Sequence, residues 1–244
     1  MAPSTTLGYW NIRGLAQPIR NLLEYVGEEY ENVTYDFDTS DMSNVPKVLG
    51  KWPEAKTSCP KIVGGDGEVA MDFPNLPYFI EKQADGTTLK MTQSVAILKH
   101  IARKHGLVVE GELNVARMEM LEEQAMDLKQ AIAGYCYDHP MTSFRYPNYT
   151  EDIQAVFKQW DKVLEGHQFV MGDKLTYVDF LLFEFLDWHL PLKADIFDAT
   201  PNVKAFLERF RSLPKIAEYF ASSRYQSWPL VSPFAKKFGW TKGN

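Results

Sequence analysis

Hydrophobic and polar positions follow two different patterns along the chain, and the change falls near Gly111. Before it, short β-prone stretches alternate with amphipathic helical stretches. We predict strands at residues 5–10, 32–37, 77–81 and 87–91, and helices at residues 17–26 and 94–105. Residues 40–67 are polar and rich in Pro, Gly and Lys, so we expect a loop region with space for one short helix. This order of β-α-β, hairpin and helix is typical of a small α/β layer domain.

After Gly111 the strand pattern almost vanishes and helical periodicity takes over. It predicts helices at residues 115–133, 151–164, 176–189 and 203–210. Thr176 and Asp179 have the spacing of a capping box, with Asp in place of the usual Glu or Gln, so we expect a buried helix to start there. The chain is therefore expected to form an α/β domain over residues 1–106 and an all-helical domain over residues 107–244.

Composition and charge exclude several classes of protein. Hydrophobic residues make up 45% of the 244 residues, which is enough for a real core. The net charge is −6 and no stretch is strongly basic, which argues against nucleic acid as the main partner. No apolar run approaches the roughly 20 residues of a membrane span, and the N-terminus lacks the pattern of a signal peptide. We expect a cytoplasmic protein with no membrane partner.

Cysteine and histidine spacing gives no indication of a metal site. Cys59 and Cys136 form no CxxC pair, and the five histidines have no metal-ligand spacing, so we expect no bound metal. Two free thiols in a reducing cytoplasm are the simpler interpretation, and a disulfide between the two cysteines is the alternative.

Three local features of the first domain are candidates for ligand chemistry. Tyr9 ends a strand just before a loop and a helix, where α/β folds often bind ligands, but a half-buried strand aromatic is the plainer alternative. A cis bond at Leu76–Pro77 would expose backbone groups to a peptide-like ligand, whereas most X-Pro bonds are trans. Residues 92–94 stand where a helix begins, which suits either a carboxylate site or an ordinary helix cap.

The order of these features along one β-α-β-β-α unit leads to a family. Segments that closely resemble mu-class glutathione transferases lie at residues 8–16 (GYWNIRGLA), 72–78 (DFPNLPY), 92–94 with 96–98 (TQS, AIL), 101–105 (IARKH) and 177–180 (YVDF). The resemblance runs from about Leu7 to the region of Ser223, and the first two segments are specific to this class. It implies a thioredoxin-like N-terminal domain and an all-helical C-terminal domain. It also implies an enzyme of detoxification that conjugates the thiol of reduced glutathione to hydrophobic electrophiles.

Within this resemblance, Tyr9 matches the tyrosine whose hydroxyl donates a hydrogen bond to the glutathione sulfur. A thiol with a pKa of ~8.5–9 is mostly protonated at neutral pH, and only the thiolate is a strong nucleophile. Lowering that pKa by ~2 units requires ~2.7 kcal/mol of preferential stabilisation of the anion, much of which a directed O–H donor can supply. Glutathione is then a co-substrate, and no metal or redox cofactor is needed.

Further binding residues are implied by the same resemblance. The glutathione contacts are Trp10, Leu15, Trp52, Lys56, Asn75, Leu76, Gln93, Ser94 and Glu119. Of these, Trp52 with Lys56, Asn75 with Leu76, and Gln93 with Ser94 match the residues that hold the glycyl carboxylate, the cysteinyl backbone and the γ-glutamyl end, respectively. Tyr137 matches a tyrosine on the electrophile side that assists the leaving group or product release. Phe73 matches an aromatic side chain that inserts between helices of a second subunit, so a homodimer is implied.

The chain departs from the class pattern in several places. Glu119 stands where Asp is usual for the residue that reaches across the dimer to the γ-glutamyl amine, and Asn11 replaces an Asp. Residues 57–70 lengthen the segment before Phe73, and they would form either a flap over the site or a surface loop. The tail, residues 226–244, would either cover the electrophile site or pack on the surface.

Two other functions of the same fold stay open. One is a carrier of apolar ligands that has lost turnover, and the other is an isomerase or peroxidase that uses the same thiolate. The presence of Tyr9 together with Asn75, Gln93 and Ser94 favours the transferase, because a carrier has no need of a thiolate donor.

Overall fold

The computed structural model describes residues 4–64 and 70–239. Within them, four strands form one sheet: β1 (Thr5–Trp10), β2 (Tyr30–Tyr35), β3 (Tyr78–Lys82) and β4 (Thr88–Thr92). The order across the sheet is β2-β1-β3-β4, with β1 and β2 parallel and the other two pairs antiparallel. The predicted strands are confirmed, with ends shifted by at most two residues.

The strand order places the candidate segments at one edge of the sheet. Strands β1, β2 and β4 end at this edge, and β3 begins there, because β3 alone runs in the opposite direction. Gly8 lies opposite Tyr78, and Tyr78 lies opposite Thr92. The segments that follow β1, precede β3 and follow β4 are therefore neighbours in space, although they are far apart in sequence.

The described helices are α1 (Gln17–Val26), α2 (Val45–Val48), α3 (Trp52–Ser58), α4 (Pro60–Val63), α5 (Ser94–Lys104), α6 (Glu112–Cys136), α7 (Pro140–Arg145), α8 (Tyr149–Asp152), α9 (Gln154–Val163), α10 (Tyr177–Asp187), α11 (Pro201–Arg211) and α12 (Pro214–Ala221). Every predicted helix is present. The predicted helix over residues 151–164 is interrupted at Ile153, between α8 and α9, and α6 is longer than predicted. Helices α7 and α12 were not predicted.

The expected loop region over residues 40–67 contains more helix than the sequence suggested. Helices α2, α3 and α4 all lie in it, and each has a proline in its first turn. Val48, Trp52 and Ile62 are buried, so this segment packs on the sheet instead of forming an open loop. Residues 65–67 lie outside the described part of the chain.

Helix α10 lies at the centre of the second domain. Ten of its eleven residues are buried, and it packs against α6, α11 and α1. The predicted capping box is present at its start, because the Thr176 side chain accepts the Asp179 N–H and the Asp179 carboxylate accepts the Thr176 N–H. The Thr176 hydroxyl also donates to this carboxylate, at 3.1 Å. The carboxylate accepts a further bond from Val170 N–H at 2.9 Å. This predicted folding signal therefore joins the helix start to the preceding turn.

A buried ion pair connects the two domains just after β1. Arg13 Nε lies 2.8 Å from Glu184 Oε1, and Arg13 Nη1 lies 2.7 Å from Asp187 Oδ2. Glu184 also accepts a hydrogen bond from the indole of Trp188. Both members of the Arg13–Glu184 pair are buried, so the loop after β1 is fixed by α10 as well as by its own domain.

Candidate active site

The edge of the sheet brings together three of the sequence-predicted segments. Tyr9 and Trp10 end β1, Asn75 and Leu76 precede β3, and Gln93 follows β4. A side-chain hydrogen bond from Thr92 Oγ1 to the Phe73 carbonyl, at 3.1 Å, links the second segment to the third. The three segments therefore meet at one end of the buried strand β1.

The Tyr9 hydroxyl is held in one orientation at the centre of this edge. The side chain is only 6% exposed, and Oη accepts a hydrogen bond from the Leu15 N–H at 3.1 Å. No acceptor for the hydroxyl proton lies among the described residues, so the O–H is free to donate to a ligand. Burial raises the pKa of Tyr9 to about 12, with a smaller raising effect of Tyr137 and lowering effects of the Leu15 N–H and of Arg20. The hydroxyl is therefore protonated at neutral pH.

Gly14 makes room for this hydroxyl. It begins a short 3-10 turn, Gly14–Ala16, with a φ of +46°, a backbone conformation that favours glycine. A Cβ built on Gly14 would lie 2.6 Å from both Oη and Cε1 of Tyr9. Gly14 belongs to the family motif at residues 8–16, but its contact with Tyr9 is visible only in three dimensions.

The aromatic residues beside Tyr9 line the sheet edge. Trp10 is partly buried and its ring stacks on Phe37, with ring centres 4.2 Å apart. Trp52 is buried against the rings of Tyr35 and Tyr78. These contacts make Trp52 part of a small core cluster on the sheet, and they place it near Trp10 and Leu76, which pack against the same cluster.

Lys56 lies one turn after Trp52 on α3 and is exposed. Its ammonium has no ion pair or hydrogen bond with any residue in the described ranges. Because α3 packs beside the sheet edge, this charge is free to meet an anionic ligand there. The predicted pairing of Trp52 and Lys56 is thus compatible with the fold, and their role in binding stays a prediction.

The segment before β3 turns sharply. The Leu76–Pro77 peptide is cis, which is one of the two possibilities that the sequence left open. Asn75 is exposed and Leu76 is half-buried. The Leu76 N–H donates to Asn75 Oδ1 at 2.9 Å. A ligand that accepts a hydrogen bond from the Leu76 N–H must therefore replace or share this local bond.

Gln93 has an unusual backbone at the start of α5. Its φ is +75° and its ψ is 107°, although it is neither glycine nor asparagine. Such a conformation costs of order 1–3 kcal/mol and is found preferentially at functional sites. The next residue, Ser94, begins α5, whose unpaired N–H groups and helix dipole favour an anion. The geometry is consistent with the predicted carboxylate site.

Glu119 lies away from this edge within its own chain. It is on α6 with a side chain 56% exposed, and its nearest cation is Lys99 of α5, at 3.9 Å. Lys99 lies closer to the buried Glu122, at 3.0 Å. Glu119 therefore does not join the cluster around Tyr9, and its predicted role across a dimer stays a prediction. Phe73, also predicted for the dimer, is 79% exposed.

Tyr137 and the C-terminal tail meet beside Tyr9. The Tyr137 hydroxyl donates to Ser232 Oγ at 2.8 Å and accepts from the Ser232 N–H at 3.1 Å. The tail also accepts two backbone hydrogen bonds. The Arg13 N–H donates to the Pro229 carbonyl, and the Gly14 N–H donates to the Leu230 carbonyl. The described part of the tail therefore packs against both the loop after β1 and the end of α6. Trp240 and the residues after it lie outside the described ranges.

Ser232 is a contact that sequence reasoning missed. It is 95 residues from Tyr137, and no local motif marks it. The described part of the tail therefore packs against Tyr137, and its role as a cover over the electrophile site stays a prediction. Tyr137 stays 40% exposed and lines a cavity of about 730 Å³ between α6 and α7.

Two further sequence expectations concern thiols and membranes. Cys59 is half-buried and Cys136 is buried, and both thiols are free. No helix in the described ranges is long and apolar enough to cross a membrane. Across the same ranges, no group of three or more His, Cys, Asp and Glu side chains is arranged to bind a metal ion.

Comparison with known proteins identifies the family. Models described as the N-terminal and C-terminal domains of glutathione S-transferase match residues 5–103 and 126–223. Glutathione S-transferase Mu 1 of Bos taurus is 40% identical over 235 residues, which cover 94% of this chain and 96% of that protein. Glutathione S-transferase Mu 4 of Homo sapiens is 40% identical over 238 residues, covering 95% and 97%.

Solved structures agree with the sequence relatives. The crystal structure of the glutathione S-transferase Blo t 8 superposes with a TM-score of 0.76 at 33% identity, covering 94% of this chain and 98% of that one. The structure of a Pi-class glutathione S-transferase of Onchocerca volvulus superposes with a TM-score of 0.73 at 26% identity, covering 96% of this chain and 100% of that one. The predicted fold class is confirmed by these matches. Because relatives are this similar over almost their whole length, the chain belongs to the glutathione S-transferase family of enzymes, Mu class.

Proposed function

We propose that this chain joins reduced glutathione to hydrophobic electrophiles, with Tyr9 stabilising the glutathione thiolate. The thiol proton passes to solvent, and the thiolate sulfur forms a bond to an electrophilic carbon. In an aromatic substitution, a halide ion then leaves with the electron pair of the broken carbon–halogen bond. The biological use of this conjugation would be detoxification of reactive compounds.

The observation that carries the proposal is the orientation of the Tyr9 hydroxyl. Its oxygen already accepts the Leu15 N–H, and its high pKa keeps the proton in place, so it acts on a ligand as a donor. A hydrogen bond to a charged group contributes ~1.5–3 kcal/mol. This range includes the ~2.7 kcal/mol needed to lower a thiol pKa by ~2 units. Tyr9 alone is therefore sufficient for most of the activation, and we propose no metal or redox cofactor.

The rest of glutathione would lie along the sheet edge. Lys56, beside Trp52, would meet the glycyl carboxylate, since its ammonium is exposed and has no partner in the described ranges. The γ-glutamyl end would meet Gln93 and Ser94 at the start of α5, where helix N–H groups favour an anion. Between them, the cysteinyl backbone would bind at Leu76.

The remaining predicted contacts complete this arrangement. Asn75 would support Leu76, and Trp10 and Leu15 would border the peptide. Glu119 would approach the γ-glutamyl amine from a second subunit.

The test of the proposal is turnover as a function of pH. Conjugation of glutathione to 1-chloro-2,4-dinitrobenzene is measured for the native chain, for Tyr9→Phe and for Tyr137→Phe as a matched control. Tyr9→Phe removes one hydroxyl from the thiol side, and Tyr137→Phe removes one from the electrophile side. We expect Tyr9→Phe to lose ~100-fold in kcat/KM near pH 7, because ~2.7 kcal/mol corresponds to that factor, and to recover as the pH rises.

The control separates the roles of the two tyrosines. Tyr137→Phe should keep the native pH profile, since the hydroxyl that it removes bonds to Ser232 of the tail and is not proposed to contact the thiol. A native protein that binds glutathione without conjugating it would contradict the transferase proposal and favour a carrier. Equal pH profiles for native and Tyr9→Phe would contradict the role of Tyr9.

We also propose that the protein is a homodimer in the cytoplasm. Phe73 supports the dimer, because its phenyl ring is 79% exposed and is therefore accessible to a second subunit, as the family resemblance implies. Leu113 and Met120, exposed and seven residues apart on α6, add an apolar stripe. Sedimentation velocity should give a dimer for the native chain and a monomer for Phe73→Ser. A native monomer, or a dimer that Phe73→Ser leaves intact, would contradict this assignment.

A further inference from the structure

The cavity between α6 and α7 carries charges as well as apolar surface. Its volume is about 730 Å³, and its apolar lining includes Met141 and the rings of Phe144 and Tyr146. Tyr137 lines it as well, and the tail that binds the Tyr137 hydroxyl also accepts the N–H of Gly14, which lies against Tyr9. The cavity therefore opens beside the place where the electrophile would meet the thiolate.

Lys129 is the most buried basic side chain of this cavity. It lies on α6, two turns before Tyr137, and is half-buried. Its ammonium makes no ion pair or hydrogen bond with any residue of the described ranges. Burial lowers the pKa of Lys129, and no neighbouring charge opposes that effect. A cation that is partly removed from water without a counter-charge is a favourable contact for an anion.

The other charged groups of the cavity leave it net positive. Arg145 lies over the ring of Tyr146 at 5.4 Å and is exposed. His139 accepts the Met141 N–H at Nδ1, so that nitrogen serves as the cap of α7. Asp127 is exposed and is not paired with Lys129, since its side-chain partner is Gln124. The cavity thus carries two cations and one carboxylate in a protein whose net charge is −6.

We propose that this cavity receives the non-reacting part of electrophiles that carry an anionic group on an apolar body, and that Lys129 selects them by charge. A carboxylate or a sulfonate is the chemical group that fits. This inference rests on the proposed transferase function and names the class of substrate that the reaction prefers. Lys129 is the selecting residue because it is less exposed than Arg145, so solvent screens its charge less.

The test compares two electrophiles that differ in one anionic group. These are 2-chloro-1,3-dinitrobenzene and 4-chloro-3,5-dinitrobenzoate, which is the same molecule with a carboxylate para to the chlorine. For each variant we take the ratio of kcat/KM for the anionic to that for the neutral substrate, so differences in intrinsic reactivity cancel between variants. The variants are Lys129→Met, which keeps the stem and removes the charge, and Lys129→Arg, which keeps the charge. Lys158→Met, on the exposed face of α9, is the control.

We expect Lys129→Met to lower the kcat/KM ratio about tenfold, because it removes the hydrogen bond between the Lys129 ammonium and the anionic group. The loss of a hydrogen bond between charged groups weakens binding by at least that factor. Lys129→Arg should restore the ratio to within about threefold of native, and Lys158→Met should leave it unchanged. An unchanged ratio in Lys129→Met, or an equal loss for both substrates, would overturn the inference.

A binding measurement keeps the inference separate from the proposed reaction. The probe is 8-anilinonaphthalene-1-sulfonate, an apolar fluorophore with one sulfonate, titrated into the protein without glutathione. If the native chain conjugates neither substrate, the proposed function fails. In that case, weaker probe binding by Lys129→Met with native binding by Lys158→Met would still support an anion-selective cavity. Equal binding by all variants would overturn it.

Discussion

Gly14→Ala tests whether the position of the Tyr9 hydroxyl, and not only its presence, governs activity. The new methyl group would lie 2.6 Å from Oη and Cε1 of Tyr9. Ordinary contact between such atoms is about 3.5 Å, so the ring must move by roughly 0.9 Å. The ring is buried and has little space to move without losing the 3.1 Å hydrogen bond from the Leu15 N–H.

The size of the effect follows from this displacement. Misplacement of a catalytic group by ~1 Å can cost ~100-fold in rate. We therefore expect kcat/KM near pH 7 to fall by ~10–100-fold, approaching the loss in Tyr9→Phe. The variant should also unfold more easily by about 1–2 kcal/mol, since a residue with a Cβ is strained at a positive φ.

A second glycine supplies the control. Gly27 ends α1 with a φ of +71°, and a Cβ on it would meet no atom within 4 Å. Gly27→Ala therefore carries the same kind of backbone strain without touching Tyr9. Urea unfolding measures the stability of both variants, and conjugation over a pH series measures their activity.

The two variants should separate stability from catalysis. Both should lose stability, but only Gly14→Ala should lose activity and shift its pH–rate profile to higher pH. If Gly14→Ala keeps native activity, or if Gly27→Ala loses as much, the reasoning from the Tyr9 position is refuted.

Two further predictions concern the helical domain. Asp179→Ala leaves the N–H groups of Val170 and Thr176 without their buried acceptor. Urea unfolding should therefore show that the free energy of unfolding falls by about 2–4 kcal/mol. A fall of less than about 1 kcal/mol would contradict the role of the capping box. Burial lowers the pKa of His189 to about 4, against about 6.5 in an unfolded chain, so the unfolded state binds the proton first as the pH falls. The free energy of unfolding should therefore drop by up to about 3 kcal/mol between pH 6.5 and 4. In His189→Gln, the free energy of unfolding should depend less steeply on pH over this range. The same pH dependence in both proteins would contradict the role of His189.

Much of the fold could be predicted because its signals are local. The start of α10 is set by Thr176 and Asp179, three residues apart, and the end of α1 by Gly27. The residues predicted for the thiol side lie in short motifs at strand ends, and the structure brings three of these motifs together. These are interactions within a few residues of each other, which one sequence displays directly.

The rest depends on contacts between distant residues. Helices α2, α3 and α4 are four to seven residues long, too short for helical periodicity to be visible, and their prolines resemble loop punctuation. They are stabilised by burying Val48, Trp52 and Ile62 on the sheet. The contact of Tyr137 with Ser232 likewise depends on how the tail crosses the domain.

The most direct test of the account is the ionisation of glutathione while it is bound. The ultraviolet absorbance of the thiolate is followed over a pH series for the binary complexes of native protein and Tyr9→Phe with glutathione. We predict a bound-thiol pKa of ~6.5 in the native complex, ~2 units below that of the free thiol, and a value of ~8.5 or higher in Tyr9→Phe. The same bound-thiol pKa in both complexes would contradict the central claim that the Tyr9 hydroxyl stabilises the thiolate.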